Sequence, residues 1–111
     1  MFLADVHEGK TSIPVDISTS GNNIIVAGNS DSYIYIHEII GDADAAVTLQ
    51  LLAGSRNQGE FSLTAGQGLT VNDIPGDDGV PRIKCFPGED FIINLSGAVQ
   101  FTGSCVYSRR Y

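Results

Sequence analysis

Two histidines, His7 and His37, are the sequence's candidates for acid–base chemistry. His7 stands in the N-terminal segment. His37 stands in a strand-like run beside Glu38, and strand alternation predicts that the two point to opposite faces. A nucleophile–histidine–carboxylate set would need a supporting local signature, and no GxSxG elbow is present. Asp73, Asp77 and Asp78, with Gly76 and Gly79 among them, could offer oxygen ligands to calcium. The alternating EF-hand ligands and their closing Glu are missing, so a solvated acidic loop is expected. Ala65-Gly66-Gln67-Gly68-Leu69 has the glycines of a phosphate loop without its Lys and Ser/Thr, and no helical pattern follows it. It is read as a hairpin turn. No catalytic, cofactor-binding or metal-ligating residue is assigned, and no cofactor is expected.

Cys85 and Cys105 lie in separate strand-like runs. Neighbouring strands would allow a disulfide. The N-terminus, Met1-Phe2-Leu3-Ala4-Asp5-Val6-His7-Glu8, lacks the cationic start and apolar run of an export signal. Reduced thiols acting as small core residues are therefore expected. No CxxC pair or nearby His completes a metal site. Tyr33 and Tyr35 share a strand face and could stack on a sugar ring, although Trp, the usual platform residue, is absent. Otherwise the rings pack beneath a loop or in a subunit contact.

The chain ends are the remaining candidates. Phe2, Leu3 and Val6 are apolar residues outside the strand pattern, followed by Lys10. At the other end Arg109, Arg110 and Tyr111 follow Ser108. Arg and Tyr are favoured at interface hot spots. These seven residues are the expected contacts to a neighbouring chain.

The elements that must position these residues are short strands. Ile13–Ile17 alternates, and Pro14 argues for an edge position. Residues 24–27, 33–39, 47–51, 61–63, 69–71, 80–86, 91–95 and 99–107 follow as apolar or alternating runs. Gly, Pro, Asn and Asp clusters separate them, at 41–44, 54–59 and 87–90 among others. Residues 73–79 form the most loop-like segment. Regular turn signals and about eight strands predict an all-β fold: a single-domain antiparallel β-sandwich, jelly-roll-like. The expected division is an N-terminal arm at 1–12 and a sandwich at 13–111 with a short C-terminal tail. Only 41–53 competes as a helix, and its alternation favours a strand.

Composition narrows the function classes. The 111 residues suffice for one domain. The net charge of −7 argues against a nucleic-acid partner, since phosphate binding rests on Lys and Arg. No run reaches the roughly 18 apolar residues of a spanning helix, so no membrane partner is expected.

Two segments carry a resemblance. Phe61–Val71 places apolar residues around Ala-Gly-Gln, and Phe91–Tyr107 runs through Asn-Leu-Ser-Gly-Ala-Val into an aromatic strand. Over about residues 45–107 the chain resembles the capsid decoration, or cement, proteins of tailed bacteriophages. The resemblance implies a non-enzymatic structural protein that staples neighbouring major capsid proteins on the outer surface of a virion, against internal DNA pressure. It implies synthesis in a host cytoplasm and a homo-oligomer, a dimer ahead of a trimer. The alternatives are a carbohydrate-binding module centred on Tyr33 and Tyr35, or a tail or neck component.

Overall fold

The structure, a computed structural model, describes residues 10–72 and 81–111. Phe2, Leu3, Val6 and His7, and Asp73, Asp77 and Asp78 of the expected acidic loop, lie outside the described residues. The strands are β1 (Thr11–Ile17), β2 (Gly21–Val26), β3 (Tyr33–Ala43), β4 (Val47–Ala53), β5 (Arg56–Leu63), β6 (Gly68–Asn72), β7 (Ile83–Cys85), β8 (Phe91–Leu95) and β9 (Phe101–Arg110). Alternation builds them. In β4, Val47, Leu49, Leu51 and Ala53 are buried while the residues between them are half-exposed, the period of a strand with one face in the core. Among the described residues there is no helix, and so none long and apolar enough to cross a membrane.

The strands form two antiparallel sheets. One runs β1-β9-β3, with β6 and β7 both on the far side of β3; the other runs β2-β8-β4-β5. The register shows why β3 has two neighbours there. β6 pairs from Asp42↔Gly68 down to Glu38↔Asn72, and β7 continues from Ile36↔Ile83 to Ile34↔Cys85. They occupy successive halves of one strand position beside β3. Counting them as one reduces the nine strands of the described residues to eight. The first then pairs with the last and the second with the last but one, which is the wrapping of a jelly roll. The expected all-β antiparallel sandwich is the observed fold.

Several boundaries differ from the sequence reading. The chain does not turn at Gly41; β3 continues to Ala43, with Gly41 across from Gly103. The hairpin between β4 and β5 closes in two residues, Gly54-Ser55, because Ala53 pairs with Arg56. Gly54 takes φ +63°, as the first position of a type II′ turn requires. The segment 65–68 is not a hairpin. β5 belongs to one sheet and β6 to the other, so this turn crosses between them. β9 runs to Arg110, which places Ser108, Arg109 and Arg110 in the sheet. Pro14 does lie on an edge strand, since β1 pairs only with β9.

The core lies between the sheets. Phe91, Ile93, Leu49, Leu51 and Leu95 come from one sheet, and Phe101, Ile34, Ile36, Ile39 and Ile83 from the other, all essentially inaccessible. Each such side chain stabilises the fold by about 1.5–3 kcal/mol relative to leaving it in water.

Candidate functional site

One irregularity shapes the outer face of the β3 sheet. Ile34, Ile36, Ile39, Gly41 and Ala43 are buried, so the inward period of two skips a residue between Ile36 and Ile39. The β3–β9 register shifts at the same place, between Ile36 and Glu38. This is a β-bulge, and it turns His37 and Glu38 to the same side. The expectation that they face opposite ways fails for that reason. Both line a hollow of about 330 Å³ with Lys10, Asn72 and Val106.

His37 is buried there, and its Nε2 lies 2.8 Å from Ser108 Oγ. The two residues are 71 positions apart, so no local motif announces the pair. A serine beside a histidine has the parts of an activated nucleophile. Ser108, however, is 0% exposed. A nucleophile must meet its substrate, and this hydroxyl meets only the protein. The pair is a buried hydrogen bond that ties β3 to β9.

Below the bulge the same face gathers aromatic and basic side chains. Strand pairing sets Arg110 across from Tyr33, and Lys84 and Ser108 across from Tyr35. Lys84 Nζ lies 5.5 Å from the Tyr33 ring centroid and 5.6 Å from that of Phe86; the Arg110 guanidinium lies 5.8 Å from Tyr35. Phe86 meets Tyr33 edge-on at 5.9 Å. These are cation–π and edge-to-face distances.

A clamp from the second sheet holds Phe86. Arg56, at the start of β5, donates through Nε and Nη2 to the two carboxylate oxygens of Glu89, at 3.0 and 2.7 Å. Arg56 Nη2 also donates to the Lys84 carbonyl, and its guanidinium lies 4.5 Å from the Phe86 ring. Glu89 accepts from the Phe86 amide at 2.8 Å. Hydrogen bonding from Arg56 holds the Glu89 carboxyl below its ordinary range, against a smaller opposing effect of burial. Phe86, 45% exposed, is thus fixed in an outward position.

The register gathers the positive charge at this end. Arg110 and Arg109 pair with Tyr33 and Ile34, and Lys84 pairs with Tyr35. Arg82 directly precedes Ile83, which pairs with Ile36; Lys10 directly precedes Thr11, which pairs with Tyr107. With Arg56 bonded to the Lys84 carbonyl, all six basic residues of the chain stand at the Tyr33–His37 half of β3.

The proposed terminal contacts divide. Arg110 joins the outer face, and Tyr111 is 88% exposed beyond it. Arg109 turns the other way. Its Nη2 donates to the Ala27 carbonyl at 2.7 Å and its guanidinium lies 5.8 Å from the Tyr107 ring, so it closes the end of the sandwich. Lys10 is exposed at the hollow beside His37. A separate cleft of about 400 Å³ opens between the sheet edges, over Leu51, Phe61, Val71 and Ile83.

Tyr33 and Tyr35 do not present one flat stacking surface. Their planes are tilted 58° to each other, and a cation covers each ring. The cysteines are free, buried and separated by β3, with Cys85 across from Ile34 and Cys105 across from Ile39. Two strand spacings already set their Cα atoms at least about 9.5 Å apart, beyond the roughly 7 Å reach of a disulfide. Burial pushes both thiols up to about 12.

No protein-family model matches the chain. No curated protein sequence matches it either. Among solved structures it is similar to a chain from Bacillus endospore appendages, described as a family of disulfide-linked pili. The identity is 17%, over 92% of this chain and 85% of that one, with a TM-score of 0.50. PirA is a more distant likeness, at 12% identity, 89% and 93% coverage and a TM-score of 0.38. This corrects the expectation of a capsid staple bound to a major capsid protein on a virion. The matching sandwich belongs to a pilus, a different structural role. What the chain shares with the appendage protein is its fold.

Proposed function

We propose that this chain is a non-enzymatic structural subunit that assembles with copies of itself into an extracellular or cell-surface polymer. The observation that carries this reading is the rigid cluster of Tyr33, Tyr35, Phe86, Lys84 and Arg110 on one sheet face, with Tyr33 and Phe86 outward at 37% and 45% exposure. Aromatic side chains and arginine are enriched where protein interfaces form. The two sheets already satisfy each other's inner faces, so this cluster contributes nothing to the core. The fold adds support, because the appendage chain that shares it comes from a polymer of pili.

Cys85 and Cys105 separate this chain from a disulfide-linked polymer. Both are fully buried with neutral thiols, so assembly through the folded sandwich uses non-covalent contacts. The test is light scattering across a protein concentration series, with electron microscopy of the concentrated sample. The reading expects mass to rise with concentration and polymers to be visible. A monomer at every concentration up to the millimolar range would overturn it.

A further inference from the structure

The face that carries the aromatic and basic cluster is electrically polarised along its strands. At the opposite end from Tyr33, Asp42 on β3 and Asp16 on β1 both pair with Thr102, one on each side of β9. All three are exposed, and Asp44 follows immediately beyond Ala43. No basic side chain stands at this end, because all six lie at the Tyr33–His37 half. Asp42 lies nine positions beyond Tyr33, about 30 Å at strand rise. The sheet therefore gathers every cation and the aromatic cluster at one end, with Glu38 and the Arg56-paired Glu89 among them, and presents Asp16 and Asp42 without a cation at the other.

We propose that the partner of the aromatic and basic end is the Asp16–Asp42 end of a second copy of this chain, so that subunits join head to tail. The inference rests on the self-assembly reading above and adds the occupant and the polarity. Two like ends would set Lys84 and Arg110 against the same cations, which the arrangement disfavours. Joining unlike ends pairs them with carboxylates. A contact between two different patches of one chain leaves a free patch at each end of every oligomer, so assembly continues into a filament or closes into a ring.

The experiment uses two charge-reversed proteins. One carries Lys84→Glu with Arg110→Glu, so the charge beside Tyr33 and Tyr35 is reversed and carboxylates stand at both contact patches. The other carries Asp16→Lys with Asp42→Lys, so both its ends are positive. All four positions are exposed, and circular dichroism with thermal melting checks that the sandwich persists. Sedimentation velocity should show the wild type assembling, each variant alone associating at least tenfold more weakly, and an equimolar mixture recovering large species. The mixture recovers because every junction again joins opposite charges. Normal assembly of either folded variant alone, or a mixture that stays dissociated, would overturn the head-to-tail arrangement while leaving self-assembly standing. A wild type that never assembles would overturn both.

Discussion

Gly41 and Gly103 face each other across the β3–β9 ladder, and neither has room for a side chain. A Cβ on Gly41 would fall 2.6 Å from the Phe101 ring and 2.8 Å from the Thr102 carbonyl oxygen. A Cβ on Gly103 would meet the Ile40 carbonyl and the Gly41 Cα. The obstacle at Gly103 is backbone, which cannot rotate away as a side chain can. Gly103→Ala should cost about 2–4 kcal/mol, read from urea denaturation. Gly97→Ala is the control: nothing lies within 4 Å of its Cβ position, and the change should stay within about 0.5 kcal/mol.

The His37–Ser108 bond should matter for stability and not for chemistry. Ser108→Ala removes the hydroxyl from a fully buried position and takes a partner from the imidazole. The expected loss is about 1–3 kcal/mol, seen as a lower unfolding midpoint. Retention of full stability would show that the bond contributes little to holding the bulge.

Both thiols should resist labelling. Thiol reagents act on the thiolate, and burial pushes Cys85 and Cys105 up to about 12. At pH 8 the native protein should react with neither, while denaturant should expose both. The linkage has a definite sign. Neutral burial raises the folded values above those of the unfolded chain, so this contribution is fully present below about pH 9. It fades as pH rises towards 12, because the unfolded thiols ionise first.

Glu89 predicts the opposite limb. Its carboxyl is lowered, chiefly by the Arg56 hydrogen bonds. The stabilisation is therefore present above the ordinary carboxylate value and is lost as pH falls through the lowered folded one. Glu89→Gln should reduce the melting temperature by a few degrees at pH 7, and that difference should shrink in acid. The pair is partly exposed, at 40% for Arg56 and 23% for Glu89, so salt should weaken it too.

The strands were largely legible because each has one face in the core. The apolar alternation of Val47–Leu51 and the run Phe91–Leu95 reappear as β4 and β8. What escaped depends on pairing across the sheets. The bulge at His37 exists because β9 shifts register there, and nothing in Tyr33–Ile39 alone marks it. Gly41 looks like a turn residue but serves to let two strands approach. Tyr33 and Tyr35 stood out as neighbours on one face, whereas Lys84, Phe86 and Arg110 join them only through β7 and β9. Arg109 and Arg110 read alike in sequence, yet alternation sends one to the end of the sandwich and the other to the outer face.

The central claim is that the Tyr33–Phe86 face becomes buried when subunits meet. Hydroxyl-radical footprinting read by mass spectrometry tests it residue by residue as protein concentration rises. The account predicts that oxidation of Tyr33 and Phe86 falls steeply with concentration. Ile24, 60% exposed on β2 in the other sheet, should keep its rate. Unchanged rates at Tyr33 and Phe86 while the protein assembles would contradict the claim.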